Sequence, residues 1–175
     1  NVDLTADAGL LNLSGDIDGN SSINADNIQL GAAVTASANT TMTLTSGNGD
    51  ITGAGNLTLL PNSGIIINDN ITTNGRTTIN SDVDGNGNAD ANGFGDLNLA
   101  ANITLSTTNG DLTINTNDLV TSNTTINAGN GDILITDSDG SGLEFGAAAG
   151  GNNLNISDIE LGLITGSNLT INTNG

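Results

Sequence analysis

An apolar–polar–apolar triplet following a turn recurs along the whole chain. It is clearest as Leu112-Thr113-Ile114 in Asn109-Gly110-Asp111-Leu112-Thr113-Ile114. Successive strand side chains point to opposite faces, so each triplet is the pattern of one short, half-buried strand. The others are Leu11-Asn12-Leu13, Ile28-Gln29-Leu30, Met42-Thr43-Leu44, Leu57-Thr58-Leu59, Thr77-Thr78-Ile79, Leu97-Asn98-Leu99, Ile133-Leu134-Ile135, Leu154-Asn155-Ile156 and Leu169-Thr170-Ile171. Their last residues are 17, 14, 15, 20, 20, 15, 21, 21 and 15 positions apart. Such steps are too short for helical repeats of about 34 residues. They suit a coil whose strand lies about 4.8 Å above the one before.

The expected fold is therefore all-β: a single-stranded parallel β-helix, or β-solenoid, of about ten coils and roughly 45 Å. It forms one domain over residues 1–175, with loop insertions near 80–96 and 136–153. Gly, Asn and Thr are weak helix formers, and no stretch has a 3.6-residue period. A second strand follows each triplet, at Ile17, Val34, Ile65, Ile67, Val83, Ile103, Leu119 and Ile159. Gly and Asn supply the corners, because they tolerate positive φ; Asn48-Gly49, Asn74-Gly75, Asn109-Gly110 and Asn130-Gly131 are the clearest. Pro61, which has no N–H for a ladder, marks another corner. Thr124-Thr125-Ile126 is either the third face of one coil or a separate short coil.

Arg76 is the only basic side chain against 19 acids, and the formal charge is -18. This excludes nucleic acid, which is bound by Lys and Arg, and anionic membrane surfaces. No apolar run reaches the ~20 residues of a membrane span. Few aromatics with high charge resemble disorder, but the regular Ile, Leu and Val spacing argues for a packed interior. Without Cys, His or Lys, and with only Phe94 and Phe145 as aromatics, the chain lacks the usual groups of polysaccharide-cleaving solenoids, and no enzyme is expected.

The residue before each triplet forms a column that includes Asn56, Arg76, Asp96, Asp111, Asp132 and Asn168. Stacked Asp96, Asp111 and Asp132 would repel by about 0.9 kcal/mol per neighbour in water. Arg76, one triplet before Asp96, is placed to relieve that run. Asn at such positions forms side-chain ladders.

Asp82-Val83-Asp84-Gly85-Asn86-Gly87-Asn88-Ala89-Asp90 spaces oxygen ligands around a sharp Gly turn, as at the start of an EF-hand loop. It resembles the short calcium loops of dockerins and thrombospondin type 3 repeats. Hard oxygen donors suit Ca²⁺, so the expected ligands are Asp82, Asp84, Asn86, Asn88, Asp90 and Asp96; position 12 is Gly93, so the usual bidentate Glu is missing. Asp137, Asp139, Ser141 and Glu144 form a second, less acidic candidate set. Nine N-x-[ST] triplets, such as Asn102-Ile103-Thr104, are glycan acceptors by pattern, but a corner Asn followed by a strand Thr creates them by repetition alone.

Asn130-Gly131-Asp132-Ile133-Leu134-Ile135-Thr136, Ile71-Thr72-Thr73-Asn74-Gly75 and Asn168-Leu169-Thr170-Ile171 resemble the repeats of filamentous haemagglutinin-type exoproteins of two-partner secretion. The resemblance implies a right-handed parallel β-helix, export through an outer-membrane barrel, and a place on the cell surface or in extracellular matrix. Joined head to tail, the chain's two ends keep the repeat, with 17 residues from Ile171 to Leu13. This predicts a segment of a longer repeat protein or a subunit that stacks on copies of itself. The function expected is a surface rod, structural or adhesive, with surface glycans as a further partner. The alternative is a solenoid binding ice or glycans through Thr-rich faces, with Asn98, Leu134 and Asn155 interrupting the Thr column.

Overall fold

A computed structural model of the chain describes residues 2–18, 21–47, 49–84, 94–146 and 153–173, with side chains described from residue 28 onward, Ala32 excepted. The first turn is β1 (Val2–Asp18), and the second is β2 (Ser21–Ala38). The third contains β3 (Met42–Ser46), β4 (Ile51–Gly53) and β5 (Asn56–Pro61). The fourth contains β6 (Ile65–Ile67), β7 (Ile71–Thr73) and β8 (Thr77–Asn80). The fifth has β9 (Leu97–Leu99), β10 (Thr104–Thr107) and β11 (Leu112–Thr116); the sixth has β12 (Leu119–Val120), β13 (Thr125–Asn127) and β14 (Ile133–Asp137). After β15 (Leu143–Phe145) come β16 (Leu154–Ile156), helix α1 (Asp158–Gly162), β17 (Ile164–Thr165) and β18 (Leu169–Thr173).

Among the described residues every strand pairing is parallel, and each of the first six turns lays strands on three faces, the last on two. The first face stacks the start of β1 and of β2, then β3, β6, β9 and β12. The second stacks the middles of β1 and β2 with β4, β7, β10, β13 and β17. The third stacks the ends of β1 and β2 with β5, β8, β11, β14 and β18. β15 and β16 form a separate pair.

The fold is the expected stack of parallel strands, but the described residues make seven turns, not about ten. The triplets do not all mark the same face. Leu97-Asn98-Leu99 lies on the first face, Ile28-Gln29-Leu30 on the second and Leu112-Thr113-Ile114 on the third. Six steps of about 4.8 Å make the stack about 29 Å long. Thr125 and Ile126 belong to the second face, so that coil has three full faces.

The interior is a set of aliphatic columns one residue wide. Ile28, Ile51, Ile71, Leu105, Ile126 and Ile164 run down the second face. Ala36, Leu59, Ile79, Ile114 and Ile135 run down the third. Leu99 stacks on Ile67 of the first face and not on Ile114, although all three share one core. Thr hydroxyls close the buried corners: Thr73 and Thr77 bond each other at 2.8 Å, and Thr116 Oγ1 donates to the Asp118 carbonyl at 2.7 Å.

Two local expectations are corrected. Gly75, Gly110 and Gly131 are not at positive φ. They are glycine because successive corners nearly touch: a Cβ on Gly110 would overlap the Gly75 carbonyl, and one on Gly131 the Gly110 carbonyl. The positive-φ corners are elsewhere, as at Asn102 (63°) and Asn123 (55°), where Asn123 Nδ2 also donates to Asn102 Oδ1 at 2.8 Å. Ile159 is not in a strand but in α1, 71% exposed. Ser157 caps this helix, accepting from the Glu160 N–H while Glu160 accepts from the Ser157 N–H. Ser157-Asp158-Ile159-Glu160 is a capping box that the sequence displays. Pro61 ends β5, as its missing N–H requires, and Asn62 supplies the N–H to the Ala38 carbonyl instead.

Candidate functional site

The two acidic insertions follow the third-face strands β8 and β14, so the fold brings their first residues together. Asp82 is buried and accepts a hydrogen bond from Ser138 Oγ at 3.0 Å. Asp84 is half-buried. Asn86, Asn88 and Asp90 lie outside the described residues. Asp96 is drawn off to the first face, where its Oδ1 accepts from Asn117 Nδ2 at 2.8 Å. In the second set, Asp137 accepts from the N–H groups of Asp139 and Gly142, and Asp139 accepts from that of Ser141. These carboxylates fold their own loop, and Glu144 stands apart in β15. Among the described residues no three carboxylates gather as a metal site would need.

Burial chiefly raises the Asp137 carboxyl above the ordinary range, with Asp139 adding to it and the backbone donors opposing. Asp139 itself is lowered: burial pushes it up, but bonds from Ser141 and Asp137 outweigh this. Burial also raises Asp118, against hydrogen bonds from the Asn155 and Leu119 N–H groups; Asp96 and Glu160 push in the same direction as burial. Asp96 and Asp118 are neighbours because Leu97 pairs with Leu119.

The polar column before the third-face strands runs Asn56, Arg76, Asp111, Asp132 and Asn168. Arg76 pairs with Asp111 at 3.3 Å, not with Asp96, because Asp96 precedes a first-face strand. Asn56 Oδ1 accepts from the Arg76 N–H, Asp111 from the Asp132 N–H, and Asp132 from Asn168 Nδ2. The acid run is thus two residues long, with a donor at each end. Amide ladders also join Asn115 to Asn80 and Asn130 to Asn109.

Beside this column, Thr35, Thr58, Thr78 and Thr113 stand in register on the outer side of the third face, followed by Leu134 and Thr170. Asn98 and Asn155 do not interrupt it; they belong to β9 and β16. The hydroxyls of Thr58, Thr78 and Thr113 have no hydrogen-bond partner among the described residues. On the second face, by contrast, Thr72 and Ser106 bond each other at 3.1 Å.

The first face carries a groove of about 400 Å³ that no sequence pattern predicts. Its walls include Thr41, Ser63, Ile66, Phe94, Asp96 and Asn98. It exists because Gly64, at φ 100°, puts no side chain between Thr41 and Asp96. Phe94, 69% exposed, rims it, and Ile66 of the otherwise buried β6 opens onto it.

At the axial end, the inward residues of β18 are uncovered: Leu169 is 37% exposed and Ile171 half-buried, whereas Ile133 and Ile135 above them are buried. Among the described strands β18 pairs only with β14. Leu161 and Ile159 of α1 are exposed as well. No described helix is long and apolar enough to cross a membrane.

Compared with known proteins, the chain matches no family model, no curated protein and no solved structure.

Proposed function

We propose that the chain is an extracellular structural and adhesive β-solenoid that builds a cell-surface rod by end-to-end stacking, on copies of itself or on flanking repeats. The carrying observation is the β18 edge. Among the described strands it has backbone groups without a partner, over Leu169 and Ile171, whose counterparts on β5, β8, β11 and β14 are buried. Such an edge is a template for another strand, and each turn of a solenoid contacts only its neighbours. The filamentous haemagglutinin-like repeat style supports the surface location. Electron microscopy and sedimentation of the purified chain should show unbranched rods that lengthen with concentration. Leu169→Lys should shorten them without lowering the melting temperature, since its side chain is already part-exposed. Only isolated globules at every concentration, and in native material, would overturn the reading.

Calcium stapling of the Asp82–Asp96 insertion belongs to this proposal, supported by the spacing of its oxygens. Millimolar Ca²⁺ should then raise the melting temperature relative to chelator; equal values would remove calcium from the account.

A second reading, a solenoid binding ice or glycans through its Thr rank, is favoured by four in-register threonines, three of them with hydroxyls that have no partner among the described residues. Thermal hysteresis that is lost in Thr78→Val would support the ice version, and its absence in the parent chain would discard it.

A further inference from the structure

We propose that the first-face groove is a binding subsite for a neutral sugar residue of a surface glycan. The inference rests on the adhesive part of the function above and gives it a location and a ligand class. The groove volume, about 400 Å³, lies within the range of small-ligand sites. Its lining combines the two kinds of surface a pyranose needs. A sugar ring has an apolar C–H face, and the negative π-face of an aromatic ring attracts those hydrogens. Phe94 offers such a face at the rim, and Ile66 extends the apolar floor.

The same lining holds groups that pair with hydroxyls. Among the described residues the Asn98 amide, both donor and acceptor, has no hydrogen-bond partner, and neither has the Ser63 hydroxyl. Asp96 uses Oδ1 for Asn117, leaving Oδ2 as an acceptor. Thr41 Oγ1 donates to the Ser63 carbonyl at 3.0 Å and so presents its lone pairs. The charge decides the class of glycan. With -18 overall and Asp96 in the wall, an anionic sugar would be repelled, and Arg76 lies on another face. A neutral hexose or acetylated amino sugar fits.

The test is saturation-transfer and amide-shift NMR on the full chain, at concentrations where sedimentation shows monomer. The probes are cellotriose, maltotriose and chitotriose, with trigalacturonate as the anionic comparison. Millimolar binding of at least one neutral trisaccharide is expected, with shifts centred on Ile66 and Asn98. Phe94→Ala should weaken it about tenfold, the order of one lost stacked ring, and Asn98→Ala should weaken it too. Both variants alter exposed or half-exposed side chains, and an unchanged melting curve verifies that they fold. Thr52→Val, at an exposed position of the second face, should bind as the parent does. No binding of any neutral trisaccharide, equal binding of trigalacturonate, or an unaffected Phe94→Ala would each overturn the proposal. Rod formation is read separately by sedimentation, so either reading can fail alone.

Discussion

The Asp118 carboxyl shows how a single residue in this stack links to pH. Its unfolded-state value is near 3.8, and burial holds it higher in the folded chain. Between the two values the native state binds more protons, so stability increases as pH falls through that window. Asp137, also raised, acts in the same direction. Thermal melts should therefore show a rising melting temperature as pH drops from neutral toward 4, and Asp118→Asn should flatten part of the slope. A melting temperature that fell steadily over that range would contradict this. Arg76 makes the opposite case. Its pair with Asp111 is exposed on both sides, with side chains 63% and 48% accessible, so Arg76→Ala should cost under about 1 kcal/mol, and less at high salt. Denaturant titration at two ionic strengths measures it.

The strands after β2, two to six residues long, cannot hold themselves together; their neighbours along the axis do it. Truncating an interior column, as in Ile114→Ala between Ile79 and Ile135, should cost about 2–5 kcal/mol, because rigid neighbours above and below cannot collapse into the gap. The corners are equally intolerant for a different reason. Gly131→Ala puts a methyl into the Gly110 carbonyl and should cost about 1–3 kcal/mol. Gly162→Ala, in α1 with open space around it, should gain about 0.5–1 kcal/mol instead. Chemical denaturation of the three variants distinguishes packing at a corner from a general dislike of substitution.

The whole molecule is held by repetition. Acids and amides in stacked positions are arranged so that a donor meets each carboxylate, as in Arg76, Asp111, Asp132 and Asn168. This lets a chain of charge -18 stack its turns without a dense positive partner. The same repetition leaves three different outer faces: a free threonine rank, a self-bonded hydroxyl face, and a face with an aromatic-rimmed groove. A rod built from such turns would carry each face along its length.

The two-residue alternation, with its Ile, Leu and Val inward and Thr and Asn outward, was enough to specify parallel stacked strands, because strand geometry fixes which side each residue faces. It left open which of three faces a triplet occupied, since all three share the same local pattern. Only the tertiary register could assign Leu97-Asn98-Leu99 to one face and Leu112-Thr113-Ile114 to another. That assignment turned ten coils into seven, moved the Arg76 partner to Asp111, and gave the Thr rank its continuity. It also set Phe94 beside Ile66 and Asn98 across the gap at Gly64. Those residues come from different turns, and no spacing along the chain encodes their meeting.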